Sequence, residues 1–152
     1  MMADLRDPIT VNGIHVRLDP KLSCKSKNVI YLAQCMVCQQ KRADLAAELD
    51  TTIDNVIVED SYVGQTVSEA RTRMNGHRSA FKCNSDGDYK DYQKSALSQH
   101  CFEQHSGHMS LTAFRLGLIR SCNAAQLDRE ENRFISKLRT EVIGLNRIKV
   151  VR

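Results

Sequence analysis

Two pairs of residues in this chain carry the spacing of a metal site. Cys35-x2-Cys38 puts two sulfurs on one tight turn, and His100-x4-His105 puts two imidazoles at the end of a helical segment. These are the ligand types and local spacings of a Cys2His2 zinc centre, in which four side chains close a tetrahedron around the ion. The interval between the pairs is far longer than in a zinc finger. Such a centre would be structural, pinning the loop after one strand to a distant helix. Spacing favours His105 slightly over His108 for the fourth position. The alternative is that the cysteines pack as small apolar residues and the histidines face solvent. Six cysteines in a chain without a signal-peptide pattern suit thiols or ligands better than disulfides. Cys24, Cys83, Cys101 and Cys122 receive no ligand role.

A second set of residues stands out because it is ionisable where a core is expected. In the segment after residue 66, Ala70, Arg73, Met74, His77 and Phe81 share one face of a helix at 100° per residue. Near the C-terminus, Leu127, Phe134, Ile135 and Leu138 define another apolar stripe, and Glu131 lies inside it while Glu130 and Arg133 lie off it. A buried carboxylate is expensive unless it is paired or binds a cation. Arg73 with Glu131 could be a structural ion pair at the edge of the core. Three such residues on two helices also suit a shared cleft.

The elements that must position these residues can be read along the chain. Residues 1–23 show little periodicity and read as an N-terminal arm, with a domain over 24–152. Asn28 to Gln34 is a β-branched and aromatic run suited to a strand. Lys41 to Leu49 has helical composition, inside an insertion at about 35–60. Val56-Ile-Val58 and Ser61-Tyr-Val-Gly64 read as a second strand ending on a turn glycine. Thr66-Val-Ser-Glu69 has the pattern of a capping box, opening a helix to about Phe81. A polar loop over 83–92 precedes a helix from Lys94 to His105, stopped by Ser106-Gly107. Leu111 to Arg120 suits a third strand, and Asn123 to Gln126 starts a last helix to about Arg139. The expected class is α+β, with a small three-stranded, mostly antiparallel sheet flanked by helices and carrying a zinc-binding insertion.

Composition sets outer limits. The chain has 152 residues, 41% of them hydrophobic and 26% charged, which suits one globular domain. No apolar run approaches the ~20 residues of a membrane span. The net charge of +4 permits a nucleic-acid partner without demanding one. The lack of tryptophan argues against a base-stacking platform for single strands. Arg115, Arg120, Arg147, Lys149 and Arg152 could contact phosphate, but such charges usually form only a solvated face.

Several motifs in fixed order resemble the GIY-YIG nucleases. Val29-Ile-Tyr31 and Tyr62-Val-Gly64 resemble the paired strand motifs, and Arg73-Met-Asn-Gly-His77 resembles the Arg-x3-His helix. Glu131 with Phe134-Ile135 resembles the glutamate helix, and Gly144-Leu-Asn146 the closing Gly-Leu-Asn. Cys24-Lys-Ser-Lys-Asn-Val-Ile-Tyr, Cys35-x2-Cys38 and Tyr-Val-Gly-Gln-Thr look more specifically like the endonuclease domain of Penelope-like retroelements, which carries an added Cys-Cys-His-His zinc motif. Ser106-Gly107-His108 resembles a segment of those relatives, which implies His108 as the alternative ligand to His105. The resemblance covers about residues 24 to 146. Two departures are Val29 in place of the usual glycine and a long excursion between Tyr31 and Tyr62. Loop closure tolerates the second because its cost grows only logarithmically with length.

The resemblance implies a metal-dependent DNA endonuclease acting in retroelement insertion. It implies DNA as partner, a reverse transcriptase in the same polyprotein, and an intracellular, nuclear location. Glu131 would bind one Mg²⁺ or Mn²⁺. Tyr31 would be general base on the attacking water, its phenol lowered by Arg73 and the metal. Arg73 would clamp the scissile phosphate. His77 would contact phosphate or relay a proton, Tyr62 would orient water or phosphate, and Asn146 would hold the site's edge. For Tyr31 and Tyr62 the plain alternative is strand packing; for His77 it is a neutral brace for Arg73. Two other functions compete: a catalytically silent, zinc-stabilised nucleic-acid-binding module, and a structure-specific repair nuclease.

Overall fold

The computed structural model describes residues 8–81, 92–105 and 110–147. In chain order the elements are β1 (Ile9–Val11), β2 (Ile14–Val16), β3 (Val29–Cys35), α1 (Met36–Glu48), β4 (Ser61–Thr66), α2 (Ala70–Ala80), α3 (Ala96–Gln104), β5 (Phe114–Ser121) and α4 (Leu127–Leu138). Strands β4, β3 and β5 form a sheet in that order, and both pairings are antiparallel. The class is mixed α+β, and the sheet is wholly rather than mostly antiparallel.

β3 is the centre of the molecule, and all seven of its residues are buried. Side chains alternate across a strand, so its odd and even positions feed two different cores. Val29, Tyr31, Ala33 and Cys35 join Ala70 and Met74 of α2, Leu97 and Cys101 of α3, and Leu145. Ile30 and Leu32 join Val63 of β4, Leu127 and Leu138 of α4, and the hairpin residues Ile9, Val11 and Val16. The sheet therefore lies between an α2–α3 layer and a layer made by α4 and the hairpin. The period of two also puts Tyr31 and Cys35 on one face, four residues apart. Pairing of β3 with β5 slips between Ile30 and Tyr31, an irregularity of the kind that re-aims a side chain.

Within the segment read as an arm, residues 9–16 form a hairpin. Asn12 and Gly13 both have positive φ, 48° and 82°, as a two-residue turn with right-handed strand twist requires. The Asn12 side chain donates to the carbonyls of Leu138 and Ile143 at 2.8 and 2.9 Å, so the turn is bound to the C-terminal end of α4. Gln34 donates to the Thr10 carbonyl at 2.8 Å.

Other boundaries shift for local reasons. Residues 56–58 are not in a strand; a 3₁₀ turn over Ile53–Asn55 precedes them, and β4 begins at Ser61. Thr66 caps no helix. It ends β4 and accepts from Ser68 N at 3.2 Å, and α2 starts at Ala70 with no side-chain cap at Glu69. Lys94 lies in a 3₁₀ turn (Tyr92–Lys94), and Ser95 caps α3 by accepting from Leu97 N. Residues 111–113 and 124–126 are likewise 3₁₀ turns, and Asn123 makes no side-chain cap. The loop at 83–92, apart from Tyr92, and the Ser106-Gly107 stop lie outside the described residues. Among the described residues no helix is long and apolar enough to cross a membrane.

Candidate active site and metal centre

Tyr31 is the largest fully buried side chain, 1% exposed. Its cross-strand partner on β4 is Gly64, and that glycine explains how the ring fits. A Cβ at Gly64 would collide with the Tyr31 ring and hydroxyl and lie 2.8 Å from the Tyr62 ring. The glycine is the floor on which both phenols rest. Tyr62 sits two residues earlier on the same face, its ring centroid 6.2 Å from that of Tyr31.

α2 supplies the next two groups. His77 lies edge-on to both phenols, with centroids 5.8 Å from Tyr31 and 5.9 Å from Tyr62. Its Nε2 is 2.7 Å from the Tyr31 hydroxyl and its Nδ1 is 2.6 Å from Ser95 Oγ. Both ring nitrogens are therefore engaged, leaving neither for a phosphate. Burial, with help from the Arg73 charge, brings the His77 pKa down to about 3, so the ring is neutral at ordinary pH. Arg73, one turn earlier, lies where its charge favours the ionised form of both phenols. Burial outweighs that effect. The Tyr31 phenol is pushed well above its ordinary value, first by desolvation and then by Tyr62. Arg73 pulls the phenol in the expected direction but does not by itself outweigh burial; the expectation assigns the lowering to Arg73 and the metal together.

α4 reaches the same place from the other layer. Glu131 is half-buried, and its carboxyl is raised by burial and by neighbouring Asp128, with Arg73 pulling the other way. Among the ion pairs of the described residues none joins Arg73 to Glu131; the structural-pair alternative is not realised. The buried glutamate of the helix is instead Glu130, 8% exposed and paired at 3.4 Å with both Arg120 and Arg133. The periodicity assigned the stripe to Glu131, but the arginines on β5 and α4 draw Glu130 inward.

Asn146 does not touch the phenols. Its side chain accepts from Val63 N and donates to Val63 O, both at 2.8 Å, and so it clamps the free edge of β4 between Tyr62 and Gly64.

Sequence reasoning passed over three neighbours of this cluster. Gln65 of β4 donates to the Asp128 carboxylate and lies beside Glu131. Asp128 precedes Glu131 by three, a spacing that puts two carboxylates on one helix face and could have been noticed. Ser95 was detectable as a helix-capping serine, but its contact with His77 joins positions 18 apart and leaves no local pattern.

The metal centre assembles on three elements, β3, α1 and α3. Cys35 ends β3, Cys38 lies in the first turn of α1, His100 is on α3 and His105 caps its end. Their four ligand atoms lie within 4.8 Å of one another. Cys38 Sγ is 3.3 Å from both imidazole Nε2 atoms, Cys35 Sγ is 3.6 Å from His105, and the two nitrogens are 3.2 Å apart. A tetrahedral zinc ion with Zn–S of about 2.3 Å and Zn–N of about 2.0–2.1 Å sets edges of roughly 3.5 Å and 3.3 Å for those pairs. The cluster could hold zinc. Cys35 is the more acidic thiol, lowered to about 4 chiefly by the Cys38 thiol, while the same contact pushes Cys38 up. Among the described residues His105 supplies the fourth ligand atom; His108 lies outside them. Cys101 is buried against this core, and desolvation raises it to about 12, so it is an inert thiol.

Comparison with protein-family models, with curated proteins and with solved structures found no match.

Proposed function

We propose that the chain is a GIY-YIG-type DNA endonuclease, a metal-dependent phosphodiesterase that cuts target DNA for insertion of a retroelement of the Penelope-like kind. One observation carries the reading. Tyr31, Tyr62, Arg73, His77 and Glu131, drawn from β3, β4, α2 and α4, converge on one spot. Core packing alone has no need of an arginine and a half-buried carboxylate beside two phenols. The order of the same residues in the sequence resembles that nuclease family independently of their geometry.

Phosphodiester hydrolysis requires an activated water and stabilisation of charge on the phosphoryl oxygens. Glu131 suits a hard divalent cation, Mg²⁺ or Mn²⁺, because it offers carboxylate oxygens beside a second carboxylate, Asp128, one turn earlier on the helix. Such an ion supplies Lewis-acid polarisation of a phosphoryl oxygen when bound. Arg73 would hold the scissile phosphate through its planar fork. Tyr31 would act as its phenolate and accept the proton of the attacking water, becoming the neutral phenol, with Tyr62 orienting that water or the phosphate. Zinc at Cys35, Cys38, His100 and His105 would be structural, since four protein ligands close the tetrahedron.

The test is cleavage of supercoiled plasmid with Mg²⁺ or Mn²⁺ by the native chain, Glu131→Ala and Arg73→Ala. Nicked or linear product that disappears in both variants supports the reading. A folded, zinc-loaded native protein that binds DNA without cutting it would favour the silent binding module. Equal activity in the variants would place the active site elsewhere.

A further inference from the structure

Ser95 is 3% exposed, and its hydroxyl has two polar neighbours among the described hydrogen bonds. One is Leu97 N, 3.2 Å away, which can only donate. The other is His77 Nδ1, at 2.6 Å. A hydroxyl carries one proton, and a buried proton without an acceptor is costly. Among the described residues the only acceptor in reach is His77 Nδ1. That nitrogen must then be unprotonated, and a neutral imidazole carries its hydrogen on the other nitrogen. His77 Nε2–H is 2.7 Å from the Tyr31 oxygen and can only donate to it.

We infer that Ser95 is a positioning residue: it fixes His77 as the Nε2–H tautomer and so makes His77 a permanent hydrogen-bond donor to Tyr31. The chain of donors runs Ser95 Oγ–H to His77 Nδ1, then His77 Nε2–H to Tyr31 Oη. In this arrangement His77 cannot take the tyrosine's proton. It stabilises negative charge on the phenol oxygen, and the Tyr31 proton turns instead toward the neighbouring Tyr62 oxygen. With the opposite tautomer, Tyr31 would donate to Nε2, which stabilises only the neutral phenol and strands the Ser95 proton. The role in catalysis rests on the endonuclease reading; the tautomer does not.

The experiment is ¹⁵N-detected NMR of the full chain with labelled histidine, read as the protonation of each His77 nitrogen in native protein, Ser95→Ala and Ser95→Thr. Native protein should show Nε2–H and Ser95→Thr should keep it, since threonine retains both the hydroxyl and the helix cap. Ser95→Ala should admit the Nδ1–H form. Metal-dependent cleavage should fall roughly tenfold in Ser95→Ala and stay near native in Ser95→Thr, the scale of losing one hydrogen bond to a charged group. Nδ1–H in the native protein, or an unchanged tautomer in Ser95→Ala, would overturn the inference. A tautomer that shifts as described, in a protein that never cuts DNA, would support the inference and sink the endonuclease reading alone.

Discussion

At the scale of single residues, the tyrosine pair depends on an absent side chain. Gly64 has an ordinary backbone conformation, so its need is spatial: the Tyr31 ring occupies the volume of a Cβ. Gly64→Ala should destabilise the fold by about 1–3 kcal/mol, the usual cost of overpacking, with the loss read by denaturant titration. Displacement of the Tyr31 ring should also change its near-ultraviolet signal. His77 gives a pH effect with a definite sign. Its pKa is depressed to about 3 in the fold against about 6.5 for a free histidine. Below pH 6.5 the unfolded chain takes up a proton that the folded one refuses until about pH 3. Stability should therefore be full above 6.5 and fall as the pH drops through that window. The difference in stability between pH 7 and pH 4.5 should be smaller in His77→Gln than in the native chain. An equal difference would mean that the ring is not held neutral.

At the scale of elements, β3 and α3 each carry two jobs. β3 bears Tyr31 and, on the same face, Cys35; α3 is capped by Ser95 and bears His100. A metal bound at the far ends would hold the near ends in register. Chelation with a zinc-specific reagent should lower the thermal midpoint, and Cys38→Ser or His100→Ala should bring bound zinc, measured by elemental analysis, from one per chain to near zero. Elements were legible where pattern is local. The apolar run from Asn28, the Cys-x2-Cys turn and the stripe of Ala70, Met74 and His77 all correspond to elements of the fold. Starts of helices were less so, because Thr66 and Asn123 match capping patterns yet are used by a strand end and a 3₁₀ turn. The exchange of Glu130 for Glu131 on the buried side has the same origin. A 3.6-residue period locates a stripe but not the arginine on another strand that pulls a neighbour into it.

At the scale of the whole molecule, the segment at residues 9–16 carries its own hairpin signal, Asn12-Gly13 between alternating apolar residues. Its importance comes from contacts distant in the chain, several of them more than a hundred residues away. Ile9 and Val11 are 0% and 1% exposed and complete the core beneath Ile30, Leu127 and Leu138. Ile9→Ala should therefore cost about 2–5 kcal/mol, as for other deletions from a well-packed core, measured by chemical unfolding. A change near zero would show that the hairpin is loosely attached. Long-range closure of this kind, like the meeting of Ser95 with His77, is what a single sequence does not spell out.

The clamp of Asn146 on Val63 reaches beyond the site. β4 is an outer strand, and an outer strand offers unpaired N–H and C=O groups to any other extended chain. Here Gly144 and the 3₁₀ turn Leu145–Arg147 lie along that border. Gly144 sits so close to the Ser61 carbonyl that a Cβ would come within 2.8 Å of it, and Asn146 takes both backbone groups of Val63. A side-chain amide has the same donor and acceptor as a peptide unit, so at Val63 the Asn146 side chain stands where a neighbouring strand's backbone would. That takes one pair of backbone groups away from those the border would offer to another chain.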